Sequence, residues 1–515
     1  MEWYKNPDYK NISERCDRLI MEGSSEELYS MVDFCYEKGN EFSTDDMVRA
    51  NYYYCGSNCS SRYRQLTKDE SEEVLEKELL LCRKSMMILS KQKKTPMEFK
   101  ERAYFRGMYY SVVTNYANFL DHIGRIIPAI QYFEKISQSK FGMAQGNLGQ
   151  ALIRFSFMIN DSNQARYIGR MGEKWLDKAV NSYDGNIYGQ AKGYFQKWLE
   201  FIGKYKLPDT TIKSSKREMS EMEMNYRKWF SEGILALNPL NDCNYTVEVA
   251  YDPIYIHMIM PIPKGNDDFE VPELFSLFND IKQEFVSARF QIYQAINGEG
   301  VHYSDEEVYL GNGLNGTMYS WNIEQAKMAF RSVYSIFDRI GFFLNEYLEL
   351  KIDERKVSFK SIWWKISDEL IEQNYALKGL KWIHKDLHNK VQVKGMEECV
   401  DPMMKEVQNV RNYMEHRFVR VVDELLASSD SKVDSLSMEI TLSDFRNQVI
   451  YLLKKCREAI ILLSILVSEE EKKKRRNQKE IDIADMEIRD TSSPFKNPDL
   501  NISNEQTKNL GPYDE

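Results

Sequence analysis

The sequence predicts an all-α protein, and three observations support this fold class. Among 515 residues, glycine (25) and proline (13) are scarce, whereas aromatic residues reach 13%. This composition favours long helices over sandwiches or glycine-rich sheets. Apolar side chains also recur at three- and four-residue intervals through most of the chain, which is the period of amphipathic helices. The hydrophobic content of 43% is sufficient for buried cores.

The charge and the cysteines limit the classes of function. The net charge is −10 at pH 7, so the protein is not a general polycation, and contact with nucleic acid would require a local basic patch. Of the eight cysteines, only Cys55 and Cys59 are close in sequence, and no second pair completes a zinc site. We therefore expect reduced thiols in a cytoplasmic protein.

The sequence predicts neither a membrane segment nor a bound cofactor. The longest apolar run, residues 459–467, is too short to cross a bilayer and is typical of a buried helix. The N-terminal MEWYKNPDYK lacks the apolar region of a signal peptide. Walker, G-x-G-x-x-G and G-x-S-x-G motifs are missing, which argues against nucleotide hydrolysis, dinucleotide binding and α/β-hydrolase chemistry.

Residues 1–210 are predicted to form an α-helical repeat domain. Residues 115–137 resemble a tetratricopeptide repeat in their order of small, large and aromatic side chains, which is carried by Ala117, Leu120, Gly124, Ala129, Ile130 and Phe133. Gly124 is predicted to end the first helix of this segment. Residues 141–157 repeat this order with Leu148, Gly149 and Leu152. Each hairpin of such a repeat buries its apolar face by stacking on its neighbours. An irregular helical bundle with chance small residues is the alternative.

The rest of the chain divides into three further segments. Residues 211–270 are predicted to be a connector, and their turn signals and short β-rich runs are compatible with a small strand pair. Residues 271–470 are predicted to form a second helical domain, and residues 471–515 a charged, disordered tail. Apolar periodicity in the second domain predicts helices at about residues 272–295, 321–350, 366–391, 402–427 and 441–470.

The helix predicted from residue 402 to about 427 carries the candidate site. Asp401 and Pro402 form an N-cap followed by proline at the first helical position. At about 100° per residue, Asn412 and His416 project roughly 160° away from the core face, and they are neighbours one turn apart. The predicted apolar stripe of this helix comprises Met403, Val407, Val410, Met414, Phe418, Val421 and Leu425.

An ordinary helix surface would also explain these polar residues. Arg411 and Glu415 would form a surface ion pair four residues apart, worth a few tenths of a kcal/mol, and His416 would face solvent. An outward histidine beside Arg411 and Asn412 becomes chemically useful only if something covers it. A second subunit that docks on this polar face would do so.

The stretch VRNYMEHRF (410–418) resembles the signature of the HEPN superfamily, in which an arginine, often followed by asparagine, precedes a histidine by a few residues. SARFQIYQAI, MAFRSVYSIFDRIGFFLNEYLEL and VSFKSIWW come before it in the matching order, and FGMAQGNLGQAL and LNPLND lie further upstream. The resemblance covers most of residues 110–465. The whole pattern is similar to bacterial proteins that join a tetratricopeptide-like N-terminal half to a C-terminal HEPN helical bundle.

The resemblance implies a metal-independent endoribonuclease that requires no cofactor and acts as a homodimer with facing motif helices. It implies that the ribose 2′-OH of an RNA substrate attacks the adjacent phosphorus and leaves a 2′,3′-cyclic phosphate. His416 would serve as general base or acid, and Arg411 would hold the scissile phosphate. Asn412 would orient the imidazole or donate to the phosphate.

The resemblance further implies a toxin, stress or anti-phage setting, with regulation by a protein or peptide partner bound to the tetratricopeptide-like half. A non-catalytic scaffold that binds RNA or protein is the competing interpretation. A metal hydrolase is a third class, because His384 and His388 have a spacing that can bind zinc, although no third ligand is evident. Arg331 and Asp338 are expected to form a core ion pair, with a supporting role beside the motif as the alternative.

Overall fold

The computed structural model describes residues 3–41, 45–181, 187, 189–208, 212, 218–256, 262–265, 268–270, 273–311, 316–388, 401–427 and 436–476. Within these residues the chain forms sixteen α-helices and two small two-stranded sheets, which confirms the predicted all-α class. None of these helices is long and apolar enough to cross a membrane. The part of the predicted tail beyond residue 476 lies outside the described residues.

The N-terminal half is built from helices that pack mostly against their neighbours in sequence. They are α1 (Pro7–Glu22), α2 (Ser25–Glu41), α3 (Asp46–Thr67), α4 (Glu72–Gln92), α5 (Phe99–His122), α6 (Ile126–Ser137), α7 (Gly142–Met158), α8 (Ser162–Asn181) and α9 (Gly189–Gly203). Asp45 begins α3 by accepting hydrogen bonds from the backbone N–H groups of Met47 and Val48. This arrangement fits helical repeats, and the assignment to tetratricopeptide repeats stays a prediction.

Two glycines of the repeat-like segments allow close backbone contacts. Gly124 ends α5 with a φ of +85°, and a Cβ atom there would collide with the carbonyl oxygen of Tyr375. Gly149 on α7 faces Gly172 on α8, where a Cβ on Gly149 would lie 2.7 Å from the Gly172 carbonyl oxygen. Both glycines therefore have a packing role, and the predicted helix end at Gly124 is confirmed.

The C-terminal half contains the other helices and all strands of the described chain. The helices are α10 (Glu221–Glu232), α11 (Leu274–Asn297), α12 (Trp321–Tyr347), α13 (Asp368–Gln373), α14 (Tyr375–His388), α15 (Pro402–His416) and α16 (Leu442–Arg476). The antiparallel pair is formed by β1 (Ile262–Gly265) and β2 (Asp268–Glu270), and the parallel pair by β3 (Phe418–Val422) and β4 (Ser437–Thr441).

Helix α16 is the centre of this half. It packs against α11, α12, α14 and α15, and nearly every residue from 452 to 468 is buried. The apolar run 459–467 is therefore a buried helical segment, as predicted. One hydrophobic cluster extends from Trp3 to Val467, so the N-terminal helices and the C-terminal bundle share a core.

The helix predicted to run from residue 402 to about 427 is shorter in the structure, because α15 ends at His416. The chain continues as β3, which pairs in parallel with β4. The sequence of β3, FVRVV, consists mainly of β-branched and aromatic residues, which favour strands over helices. The prediction was wrong here because the partner strand lies in a distant part of the sequence.

The predicted apolar stripe of this helix was also partly wrong. Met403 is only half-buried, and Phe418 and Leu425 are 44% and 93% exposed. Val421 is buried, but as a residue of β3. The buried side of α15 consists of Met404, Val407, Val410 and Met414.

A buried group of charged side chains joins the two halves. The fully buried carboxylate of Asp386, on α14, accepts hydrogen bonds from Arg83 at 2.7 and 3.1 Å, from Arg125 at 2.6 Å and from Lys455 at 3.1 Å. Arg125 also binds Glu458 on α16 through two hydrogen bonds. Burial raises the pKa of Asp386, but the three cations outweigh this effect and hold the pKa below its ordinary value.

The same charged group reaches the first residue of α15. Asp401 caps this helix by accepting a hydrogen bond from the Met404 N–H, and its other oxygen lies 3.1 Å from Lys455 Nζ. Tyr451 on α16 donates a further hydrogen bond to Asp401 at 2.5 Å. The start of α15 is therefore fixed by charges and hydrogen bonds as well as by apolar packing.

The segment LNPLND (237–242) is a buried turn that Arg457 holds against α16. Both terminal nitrogens of Arg457 lie 2.9 Å from the Asp242 carboxylate, and one also donates to the carbonyl oxygen of Asn238 at 3.0 Å. Asn238 and Asn241 are fully buried and bind backbone groups around the turn. Because buried charges are costly unless paired, Arg457 and Asp242 depend on each other.

Glu134 on α6 lies close to this turn, and its carboxylate accepts a hydrogen bond from Tyr245. Burial and the nearby charge of Asp242 raise the pKa of Glu134 to about 7, from an ordinary value of 4.5. Between these two pH values the folded chain holds a proton that the unfolded chain has released. The stability of the fold therefore decreases as the pH rises from about 4.5 to about 7, and it stays at the lower level above that.

We expect Glu134→Gln to raise the free energy of unfolding by about 1–3 kcal/mol at about pH 8, because glutamine does not ionise. At about pH 4.5 the same substitution should change the free energy of unfolding much less, because Glu134 is then protonated in the folded state. Urea unfolding at the two pH values measures the difference. The exposed Glu232→Gln on α10 is a matched control and should change stability by less than about 0.5 kcal/mol. An equal effect of Glu134→Gln at both pH values would contradict the raised pKa.

Candidate active site

The motif helix α15 is oriented by its buried side and by the cap at Asp401. It begins with Pro402 after the capping residue, as predicted. It ends at His416 because Arg417 leaves the helical conformation, with φ −148° and ψ −143°. The motif residues therefore lie in the last two turns of α15, and not in the middle of a long helix as the sequence predicted.

Asn412 and His416 are both exposed on the outer face of α15, where helical geometry predicted them. Arg411 is half-buried at the edge of this face. Its guanidinium carbon lies 5.4 Å from the centre of the Tyr334 ring on α12, and its Nη1 donates to Asn412 Oδ1 at 3.3 Å. The structure thus brings Arg411 and Asn412 into contact, with His416 one turn further along.

No hydrogen bond from the described residues restrains the His416 imidazole, and the side chain is exposed to solvent. Solvent and a ligand can therefore reach its ring. The last carbonyl groups of a helix carry partial negative charge, which disfavours a phosphate near this end unless cations compensate for it. The arginines around His416 are therefore important for the chemistry of this surface.

Glu415 pairs with Arg331 on α12, and not with Arg411 as predicted. Arg331 Nε lies 3.9 Å from Glu415 Oε1, and its Nη2 donates to the Met414 carbonyl oxygen at 2.8 Å. The side chains of Arg331 and Glu415 are 44% and 39% exposed, so this ion pair contributes little to stability. Arg331 holds the C-terminal turn of α15 against α12, beside the motif.

The predicted core ion pair between Arg331 and Asp338 is absent from the described contacts. Arg331 is exposed, and the Asp338 carboxylate instead accepts a hydrogen bond from the backbone N–H of Phe359 at 3.0 Å. Arg331 and Asp338 are about two helical turns apart on α12, so they do not pair directly. Each side chain finds its partner on a neighbouring segment of the chain. The supporting position of Arg331 beside the motif is the alternative that the sequence left open.

Sequence reasoning missed Arg417, which follows His416 directly. Its Nη1 donates to the Tyr413 hydroxyl at 3.0 Å, and its guanidinium lies 5.1 Å from the centre of the Tyr413 ring. Arg411 and Arg417 thus belong to the C-terminal end of α15, and Arg331 contacts it, with Glu415 as the nearby carboxylate. This local excess of positive charge can bind a phosphate even though the whole chain is acidic.

Residues 265–470 match the family described as LA2681-like HEPN. The C-terminal part of the chain is a HEPN domain. The matched residues contain α11 to α15, most of α16 and all three motif residues. The resemblance of the C-terminal half to the HEPN superfamily is thereby confirmed. Searches of the curated proteins and of the solved structures gave no match.

Two exposed apolar side chains of the HEPN domain lie beside the motif. Phe418 follows His416 by two residues, and its backbone N–H lies 3.5 Å from the carbonyl oxygen of Leu436, the residue before β4. The side chains of Phe418 and Leu436 are 44% and 63% exposed. We call this pair the apolar edge. The apolar edge is thus exposed apolar surface next to the polar motif.

His384 and His388 pack inside the HEPN domain among aromatic rings. Their ring centres are 5.0 Å apart, and the buried His384 also contacts the rings of Phe359 and Trp363. The described part of the chain contains no group of three or more His, Cys, Asp or Glu side chains that could hold a metal ion. The contacts of this histidine pair are those of core residues.

Proposed function

We propose that the HEPN domain is a metal-independent endoribonuclease. The observation that carries this proposal is the position of Arg411, Asn412 and His416 on the exposed face of α15, at a helix end surrounded by arginines. In the proposed reaction the ribose 2′-OH loses its proton and attacks the adjacent phosphorus. The bond to the 5′-oxygen breaks, that oxygen takes up a proton, and the products carry a 2′,3′-cyclic phosphate and a 5′-OH.

Each motif residue has a separate role in this reaction. His416 transfers a proton as general base to the 2′-OH or as general acid to the leaving 5′-oxygen. Arg411 binds the scissile phosphate and stabilises the negative charge that grows on its oxygens in the transition state. Asn412 orients the phosphate or the imidazole. Arg331 and Arg417 compensate for the partial negative charge at the C-terminal end of α15, which would otherwise disfavour a bound phosphate.

Two copies of the HEPN domain would supply the second proton-transfer group. If the motif helices face each other, one His416 acts as base and the other as acid on the same phosphodiester. The apolar edge of Phe418 and Leu436 supports this arrangement, because a second copy would bury both side chains next to the two motifs. The partner would also exclude water from the reacting phosphate.

Phe418→Glu is expected to weaken the dimer at least about tenfold, because a charged side chain would enter the contact between subunits. Light scattering over a range of protein concentrations measures the shift from dimer to monomer. Phe99→Glu is the matched control, since Phe99 is 90% exposed and lies on α5, outside the HEPN domain. If Phe418→Glu and wild type have the same mass at every concentration, the apolar edge is not the dimer contact.

The proposal is tested most directly by the ends of the RNA that the protein produces. Wild type and His416→Ala are incubated with total RNA in the presence of EDTA, and the new 3′ ends are sequenced. We expect 2′,3′-cyclic phosphates at defined positions with wild type only. The absence of such ends with wild type would refute nuclease activity and leave a non-catalytic scaffold as the function.

The N-terminal helices would then regulate or direct this nuclease. A protein or peptide bound to the repeat-like half could change the position of α15 through the buried charges around Asp386 and Asp401. A toxin, stress or anti-phage role would suit an enzyme that is held inactive until a signal arrives. Growth of cells that express wild type or His416→Ala would show whether cleavage is toxic.

A further inference from the structure

One cavity lies between the N-terminal helices and the motif helix, and His416 is not among the residues that line it. It has a volume of about 670 Å³ and is lined by α3 and α4 on one side and by the first half of α15 on the other. This volume lies within the range of ligand-binding pockets. The cavity therefore places residues of the N-terminal half next to the motif helix.

Cationic side chains outnumber carboxylates in the lining of this cavity, although the whole chain carries a net charge of −10. Its two carboxylates are Asp46 and Glu406, and its five cationic side chains are Arg49, Arg83, Lys84, Lys91 and Lys405. Arg83 is paired with the buried Asp386, which neutralises its charge. Arg49 is paired with Asp46, so the surplus comes from the three lysines. The surplus of positive charge points to an anionic ligand.

Several of these cations have donors that the protein itself does not use. Arg49 binds Asp46 through Nη1 at 2.9 Å, but its Nε is buried without a hydrogen-bond partner among the described residues. Lys91 on α4 and Lys405 on α15 are exposed on opposite walls, and neither forms an ion pair with a described residue. A ligand that bears phosphates would satisfy donors on both walls.

A row of exposed polar side chains on α15 leads from the cavity to the motif. Lys405, Asn409, Asn412 and His416 are all exposed, at steps of four, three and four residues. These steps keep the four side chains within roughly 60° of arc on one helix face, and the row is roughly 16 Å long. Lys405 and Asn409 line the cavity, and Asn412 and His416 belong to the candidate active site. One uninterrupted polar row thus connects the two.

We infer that the cavity is a second subsite for RNA, which binds the phosphates of nucleotides that adjoin the scissile bond. This inference rests on the proposed nuclease function. The N-terminal half then contributes to substrate binding, and Lys91 and Lys405 hold the strand from both walls. A free nucleotide would also fit the cavity by size, but the row that leads to His416 favours a continuous strand.

The test uses the full-length chain with His416→Ala, which prevents cleavage, and a fluorescent single-stranded RNA. Lys91→Glu combined with Lys405→Glu should weaken binding at least about tenfold at low salt, and should reduce the slope of log Kd against log salt by about 0.7 for each lysine. Lys192→Glu combined with Lys197→Glu, at two exposed positions on α9, changes the net charge by the same amount and is the control. Equal affinity of the double variant and the control for RNA would overturn the inference.

Cleavage assays distinguish a failure of this inference from a failure of the proposed nuclease function. With His416 intact, the double variant should lower the ratio of kcat/KM for a long RNA to that for a dinucleotide by about tenfold, because only the long RNA reaches the cavity. If wild type cleaves neither substrate, the nuclease proposal fails, whereas the binding result still tests the subsite. If the double variant loses binding of a 5′-mononucleotide but keeps its affinity for RNA, the cavity is a site for a small nucleotide and the inference is wrong.

Discussion

Replacing His416 with alanine is expected to lower the rate of RNA cleavage by about 10²–10⁴-fold, the usual contribution of a general acid or base. The reaction needs proton transfer at the 2′-oxygen and at the 5′-oxygen, and alanine provides neither. The measurement is the rate of cyclic-phosphate formation with enzyme in excess over RNA. Single-turnover conditions report the chemical step without product release.

The fold should tolerate this change, because the His416 side chain is exposed and has no hydrogen bond from the described residues. We expect a change in the free energy of unfolding of less than about 0.5 kcal/mol. His302→Ala is the control, since His302 is a half-buried histidine of the same domain that stacks on Trp321 and lies away from the motif helix. A His416→Ala variant that cleaves as fast as His302→Ala would exclude His416 from catalysis.

Asp386→Ala is expected to lower the free energy of unfolding by about 3–5 kcal/mol, the range for breaking a buried ion pair. The change leaves Arg83, Arg125 and Lys455 close together, and each loses a hydrogen bond to the missing carboxylate. Asp368→Ala is the control, because Asp368 also binds a lysine but its side chain is 92% exposed. Urea unfolding should show a decrease in the free energy of unfolding of less than about 1 kcal/mol for the control.

The pH dependence of this effect follows from the lowered pKa of Asp386. A carboxyl group with a lowered pKa in the folded state stabilises the fold above its unfolded pKa, which is about 4 for aspartate. The difference between wild type and Asp386→Ala should therefore stay constant from about pH 5 to 8 and decrease only in stronger acid. A difference that disappears near neutral pH would show that the carboxylate is not held by these cations.

The sequence predicted those parts of the fold that depend on local interactions. The cap at Asp401, the end of α5 at Gly124 and the burial of residues 459–467 are all properties of short segments. The end of α15 was not predicted, because apolar residues continue at helical spacing through Phe418 and Leu425. That pattern is coincidental, since pairing with β4, about twenty residues away in sequence, determines the strand.

In the candidate site, too, the features that depend on local helix geometry were predicted, and those that depend on packing between helices were not. Helix geometry was sufficient to place Asn412 and His416 on an exposed face. The partner of Glu415 depends on how α12 packs against α15, and therefore the prediction named Arg411 where the structure has Arg331. The turn signals of residues 211–270 include LNPLND, but the burial of this turn and its ion pair with Arg457 depend on the packing of α16.

The match to the HEPN family begins at residue 265, but the interactions that hold the domain together begin much earlier in the chain. Asp386 takes two of its three cations, Arg83 and Arg125, from the N-terminal half, and the apolar cluster starts at Trp3. A fragment that starts at residue 265 would keep the buried anion, lose both arginines and expose part of its core. For protein engineering, this HEPN domain is therefore not an independent unit, and a fusion protein that contains it has to include the N-terminal helices as well.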